Sequence, residues 1–326
     1  LPGIVGVITC FFGTFFENID VCATVERVKG EGSFVWLERI KSSVNSQWRG
    51  AAYRLRSYSF INPLIGEATA HQSEIIEDLE TEGVHVTSIE KLLTPAAHAM
   101  LLATAKIITS PDTQSDTSLW SLGASSNDIT AEAMLARFPA IYLMGLDAAL
   151  LRLVELYIRE PVGYHGAVIR RSLVDERRGG TRLWHQDGED IRVLRMVVYL
   201  NDVTAGGGPF EYIPRSTGLT YRRFAGQPGP LTNERMLEVI PYAQWKRIEG
   251  LAGTVVLCDT AKVFHHESMQ TERERSVVMI GYSSQRPMGM TLAMNHFPVE
   301  RVMPALSDMV PAHNRPHVFD WRRKTT

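Results

Sequence analysis

The 326-residue sequence predicts a mainly β core, a barrel or sandwich, behind a mainly helical N-terminal half. Three observations predict it. From Pro161 onward, short β-branched and aromatic runs recur between turns marked by Gly and Pro. Before Pro161, apolar residues repeat at helical spacing, and Thr94-Pro95 and Thr130 have the chemistry of helix starts. The composition, 44% hydrophobic and 21% charged, is that of a globular chain able to bury a full core. The expected organisation is one domain over residues 1–326, with a helical part over 1–160, a β core over 161–290 and a C-terminal tail over 291–326.

The opening residues, Leu1 to Phe16, are uncharged. They are shorter than the roughly 20 residues that span a bilayer and lack the basic start of a signal peptide. They are expected to be buried or to contact a second copy in a homo-oligomer, not to anchor the chain in a membrane. Arg49, Arg54 and Arg56 gather around Tyr53 and Tyr58 and read as a solvated face. Ile75, Ile76 and Leu79 predict a helix over Ser73 to Glu80, ended by Gly83, and Val84 to Val86 reads as a short strand. Ala96 to Ile107 is the next helix. Ser110 to Asn127, rich in Ser, Thr, Asp and Gly, reads as a long loop in which Trp120 is a candidate for covering a pocket.

Thr130 then opens a long helix, Ala131 to Arg159, interrupted at Pro139 and given an apolar face by Leu146, Leu150, Leu153, Val154 and Tyr157. Strands follow over His165 to Leu173, Ile191 to Leu200, Phe210 to Pro214, Gly253 to Cys258 and Ser276 to Tyr282, with a strong turn at Gly206-Gly207-Gly208-Pro209. The tail from Met303, with Pro304, Pro311 and Pro316, is expected to be irregular and to wrap the surface.

A net charge of −2 gives no basic field for nucleic acid or an anionic membrane. Cys10, Cys22 and Cys258 are odd in number and form no CxxC pair, so neither a disulfide framework nor a zinc finger is expected. A reducing, cytoplasmic setting follows.

The chemistry concentrates at Trp184-His185-Gln186-Asp187. Side chains two apart on an extended chain share a face, so His185 and Asp187 project together and Gln186 turns away. A third donor is available at His265 or at its neighbour His266, and adjacent strand residues diverge, so only one of these two can join the pair. Two histidines and one carboxylate on one face of an octahedron form the donor set of a non-haem iron(II) oxygenase.

The ordered run of Leu183-Trp184-His185-Gln186-Asp187, Tyr199-Leu200-Asn201-Asp202-Val203, Gly208-Pro209-Phe210, then Asp259, His265 and Arg275, resembles the phytanoyl-CoA dioxygenase family of iron(II)/2-oxoglutarate-dependent oxygenases. These motifs span about residues 165 to 285. The resemblance implies a double-stranded β-helix (jelly-roll, cupin-like) fold, with His185, Asp187 and His265 as iron(II) ligands and Arg275 gripping the far carboxylate of 2-oxoglutarate. A planar guanidinium suits that carboxylate because it binds through two parallel hydrogen bonds; Arg273, of the same strand parity, is the alternative. Tyr199, on the face of Arg195, is a candidate for lining the cosubstrate pocket, with core packing as the other reading. Asp259 is expected to fix a turn, and Cys258 to be core.

The implied activity is oxidation of a small molecule with molecular oxygen, releasing succinate and CO2 by hydroxylation, desaturation or cyclisation, in the setting of secondary metabolism. Asp187 favours oxygenation, since related halogenases lack that carboxylate. Where many relatives read Pro-Gly-Ser-His, this chain has Pro214-Arg215-Ser216-Thr217-Gly218, so a coenzyme A ester is not carried over as substrate, and Arg215 is a candidate charge near the site. Arg170, Arg171, Arg177, Arg178 and Arg182 are candidates for meeting an anionic substrate or are solvated turn residues. The competing readings are a non-catalytic barrel and a cupin-like metal protein independent of 2-oxoglutarate.

Overall fold

The computed structural model describes residues 50–326 apart from 52, 54–55, 58–59, 61–67, 124, 225–228 and 323–326. The apolar opening, Cys10, Cys22 and most of the arginine–tyrosine cluster lie outside the described residues. Helix α1, Ala70–Thr81, starts at a reciprocal cap: Thr69 Oγ1 accepts from the Gln72 amide while the Gln72 side chain accepts from the Thr69 amide. Gly83, at φ 82°, turns the chain into strand β1, Val84–Ser88. Helix α2, Pro95–Ile108, is capped by Thr94 and begins on its proline, as its sequence predicts.

The predicted loop over Ser110 to Asn127 is instead a short helical turn, Pro111–Ser115, and a hairpin of β2, Trp120–Leu122, and β3, Ser126–Ile129. Trp120 is core, not a cover: it is buried, and its indole N–H donates to the Thr113 carbonyl at 2.9 Å. The single long helix expected from Ala131 is three: α3, Ala131–Arg137, α4, Pro139–Met144, and α5, Ala148–Ile158. Pro139 cannot continue α3, and Asp147 restarts the chain by accepting from the Ala149 and Leu150 amides.

The β core comprises β4, Val162–Ser172, β5, Leu194–Tyr199, β6, Phe210–Tyr212, β7, Lys246–Ile248, β8, Thr254–Asp259, β9, His265–Glu267, and β10, Arg275–Ser284. Seven strands form one antiparallel sheet in the order β1-β8-β5-β10-β4-β3-β2, and β7-β6-β9 form a second. The architecture is a double-stranded β-helix with helices on the outer face of the larger sheet.

Alternation along the strands sorts the residues. Leu194, Met196 and Val198 of β5, Val255 and Leu257 of β8, and Val278 and Ile280 of β10 join the helices in one buried cluster. Val197, Tyr199, Val256, Cys258 and Val277 face the other way and meet Phe210 and Ile248 of the smaller sheet.

One irregularity serves the interior. Between β4 and β10 the register shifts at Gly281/Tyr282, opposite Gly166. Gly166 sits at φ 111°, and a Cβ there would lie 2.4 Å from the Phe297 Cβ, so only glycine fits. The bulge turns His165 to within 3.3 Å of the Arg195 guanidinium, the use to which bulges near functional sites are commonly put.

The tail differs from its expectation. It is helical over Met303–Met309, helix α6, and again over Pro316–Asp320, because Pro304 and Pro316 occupy first-turn positions where a missing N–H costs nothing. Val318, Phe319 and Trp321 are almost wholly buried, and the Asn314 amide donates to the Leu146 carbonyl, so the tail completes the core. Among the described residues no helix is long and apolar enough to cross a membrane.

Asp259 fixes the corner after β8. Its Oδ1 accepts from the Val193 and Ala261 amides, and the Tyr157 hydroxyl of α5 donates to its Oδ2 at 2.5 Å, with Tyr157 and Asp259 both buried. Tyr157→Phe is expected to cost about 1.5–3 kcal/mol, the range for hydrogen bonds to charged groups, read as a lower urea midpoint with unchanged slope.

Candidate active site

Residues 184 to 187 are extended without forming a regular strand. His185 and His265 exchange backbone hydrogen bonds, at 3.1 and 3.0 Å, which sets their imidazoles side by side with ring centroids 4.3 Å apart. Trp184 bonds in the same reciprocal way to Leu231, and the Asp187 amide donates to the Thr260 carbonyl at 2.8 Å. The segment thus extends the smaller sheet beyond β9. Alternation then brings Asp187 to the side of His185, and potential ligand atoms of His185, Asp187 and His265 all lie within 4.8 Å of one another.

The ring nitrogens are sorted by their neighbours. His185 Nδ1 lies 2.8 Å from the Leu183 carbonyl and His265 Nδ1 lies 3.3 Å from the Val263 carbonyl, so each Nδ1 carries the proton and donates. Both Nε2 lone pairs are left for a metal, the arrangement in which a ligating histidine is held by its other nitrogen. Burial, with the charge of His185 second, drives the His265 pKa down to about 3, so this ring is neutral in ordinary buffers. Burial opposes the charge of Asp187, but Arg195, then His265 and His185, outweigh it and hold the carboxyl well below the usual range. Two imidazole Nε2 donors and one carboxylate suit a divalent cation.

His266 is spent elsewhere. Its ring stacks on Trp184 at 3.9 Å, its Nδ1 meets the Arg182 carbonyl and its Nε2 meets Glu211 at 2.7 Å.

Arg195 of β5 organises the far side of Asp187. Its Nε donates to Asp187 Oδ2 at 3.1 Å, while Oδ1 is the atom turned toward His185 Nε2, at 3.7 Å. The same guanidinium contacts Glu189, His296 and His165 Nδ1. His165, Glu189 and His296 also have the spacing of a metal-binding group, but the cation among them is the guanidinium.

Arg275 is buried at the start of β10, whereas Arg273 is exposed. Arg275 donates through Nη1 to the Gly208 carbonyl at 2.9 Å and through Nη2 to Glu267 at 2.7 Å, and its Nε has no partner. Burial pushes the Glu267 pKa up, but Arg275 foremost pulls it below the usual range. Tyr199 shares the inner face with Arg195, and its hydroxyl is occupied by the backbone: it donates to the Ile248 carbonyl and accepts from the Phe210 amide.

His185, Asp187 and His265 open with Arg195, Glu267 and Arg275 onto one cavity of about 340 Å³, whose apolar wall includes Val168, Val197 and Phe210. A recess of about 500 Å³, lined by Gln186, Tyr221 and Pro230, reaches His185 and Asp187 from outside.

The arginines flagged beside the motif have internal partners. Arg170 pairs through two hydrogen bonds with Asp128, Arg171 likewise with Glu274, Arg178 meets Glu234 and Arg182 meets Asp175 and Gln270. Arg215 is paired with Glu80. Sequence reasoning missed the partnership of Arg195 with Asp187 and the place of Glu267. The second was accessible, because Glu267 stands two residues from His265 and alternation puts both on the inner face.

No family model matches the chain, and no curated protein does. Solved structures similar to it include EctD from S. alaskensis in its apo form, with 20% identity and a TM-score of 0.47 over 67% of this chain and 78% of that one. The epimerase SnoN in complex with Fe3+, alpha ketoglutarate and nogalamycin RO has 16% identity and a TM-score of 0.48 over 69% of this chain and 89% of its own. HygX from Streptomyces hygroscopicus with nickel, 2-oxoglutarate and hygromycin B bound has 16% identity and a TM-score of 0.44 over 67% of this chain and 88% of its own.

Proposed function

We propose that the chain is a non-haem iron(II)/2-oxoglutarate-dependent oxygenase acting on a small molecule, with the site motifs of the phytanoyl-CoA dioxygenase family. The observation that carries this reading is the commitment of both histidine Nδ1 atoms to backbone carbonyls, which leaves His185 Nε2, His265 Nε2 and Asp187 Oδ1 converging in one cavity. These three donors would hold iron(II), and Arg275 would take the far carboxylate of 2-oxoglutarate. When bound, the metal with 2-oxoglutarate and molecular oxygen supplies the oxidising chemistry that releases succinate and CO2.

The protein's part is orientation and exclusion. Arg195 fixes the rotation of Asp187, Phe210 stacks beside His265 with ring centroids 5.6 Å apart, and Val168 and Val197 give the cavity an apolar wall. The outer recess suits a small-molecule substrate, as in secondary metabolism, and gives it access from the side of Gln186. Pairing of the nearby arginines leaves the case for an anionic substrate resting on groups already matched by carboxylates.

The test is anaerobic titration with iron(II) and then 2-oxoglutarate, following the weak visible charge-transfer band of a chelated 2-oxo acid. The parent is expected to show the band. Arg275→Ala is expected to weaken 2-oxoglutarate about tenfold or more, the scale of a charge-assisted contact, with iron affinity unchanged. Iron binding without a band would instead favour a metal protein independent of 2-oxoglutarate, a second reading supported by the hold of Glu267 on Arg275.

A further inference from the structure

We infer that Glu267 is an internal competitor for the cosubstrate: its carboxylate occupies the anion seat of Arg275 and must be displaced or shared when a dicarboxylic 2-oxo acid binds. The inference rests on the 2-oxoglutarate reading above and deepens it. Glu267 is buried, with its Oε2 2.7 Å from Arg275 Nη2 and 3.4 Å from Thr181 Oγ1, and its Oε1 is held by Gln270. Nη1 of Arg275 donates to the Gly208 carbonyl, and the buried Nε is the guanidinium nitrogen without a partner.

The other nearby cation does not relieve the competition. Arg170 lines the same cavity, but both its Nε and Nη2 are matched to Asp128, at 2.7 and 2.8 Å. The distal end of the cavity therefore holds two guanidiniums and two carboxylates, with no net charge to attract a third anion. A carboxylate entering there meets Glu267 as a like charge in a poorly solvated place, which weakens its binding. A 2-oxo acid without a distal carboxylate escapes that repulsion and gains nothing from Arg275. Glu267 thus sets the discrimination between the two kinds of 2-oxo acid and keeps it small.

The experiment compares parent, Glu267→Gln and Glu267→Ala, each loaded with iron(II) without oxygen and titrated with 2-oxoglutarate and, separately, with 2-oxobutanoate. Band amplitude and calorimetry give the binding constants, and melting temperatures establish that each variant is folded. Both neutral variants are expected to bind 2-oxoglutarate on the order of tenfold tighter, with 2-oxobutanoate changed by less than about twofold, so that the ratio of the two constants rises. Two variants of different size guard against a packing effect, since only loss of charge is common to both.

A parent that shows the band, with folded variants that bind 2-oxoglutarate no more tightly, overturns the role of Glu267 and leaves the oxygenase reading standing. Iron binding with no band for 2-oxoglutarate in any of the three overturns both. A band that forms only in the Glu267 variants supports the competition directly.

Discussion

Asp187→Ala and His185→Ala are each expected to abolish iron(II) binding and to lower substrate-dependent succinate formation at least about a thousandfold, beyond the 10–100-fold typical when an outer partner of a metal ligand is lost. Ligand atoms of the three proposed donors lie within 4.8 Å of one another, and removing any one would leave a two-point chelate whose remaining positions fill with water. Asp187 has a further part, since it supplies the negative charge that imidazole donors lack. Asp187→Ala also leaves Arg195 facing the metal position, a cation beside a cation, so it is expected to be the more damaging of the two in metal affinity. Because the ligands act as a unit, the double variant His185→Ala/His265→Ala should be scarcely worse than either single one. Metal content by atomic spectroscopy and succinate yield check this together, and a single variant that keeps a tenth of parental activity with bound iron would remove its residue from the set.

Strand periodicity made much of this fold legible. The alternation of Leu194, Met196 and Val198 against Val197 and Tyr199 is visible in the sequence, and the structure uses it to divide helix-facing from interior residues. The same rule puts His185 and Asp187 on one side. What the sequence concealed depends on contacts between distant segments. Trp120 lies in a stretch with loop composition, yet Ser110 caps a helical turn there and the indole finds the Thr113 carbonyl. Prolines in the tail suggested irregularity, although a proline at a first helical position starts a helix as readily as a later one ends it. The arginine-rich stretch from Arg170 to Arg182 offered, by sequence, either contacts to an anionic substrate or solvated turn residues. Asp128, Glu234 and Glu274, 42 to 103 positions away, neutralise three of its arginines, and no local pattern announces such partners.

The same long-range character makes Arg195 the most consequential residue that touches no metal position. Asp187, Glu189, His296 and His165 are brought to one guanidinium from the metal segment, the loop after it, the C-terminal part and the bulge of β4. Burial, then the Arg195 charge, pushes the His165 pKa far down; the ring is neutral and accepts at Nδ1, with Nε2 2.8 Å from the Ser283 hydroxyl. Arg195→Met keeps the apolar stem but strands the buried carboxylate of Glu189 and the half-buried one of Asp187, and removing one member of a buried ion pair costs about 3–5 kcal/mol. The metal-free variant should therefore unfold at markedly lower urea concentration than the parent. With Asp187 Oδ2 released, the carboxylate can rotate, and iron affinity should fall about 10–100-fold, as expected for loss of a group that orients a ligand. Arg195→Lys separates the two effects: it restores positive charge and part of the stability, but one ammonium cannot hold Asp187 Oδ2, Glu189 and His165 at once. Stability should recover further than iron affinity does. Equal recovery of both would make Arg195 a source of charge alone, and parental stability in Arg195→Met would show that the carboxylates around it do not depend on it.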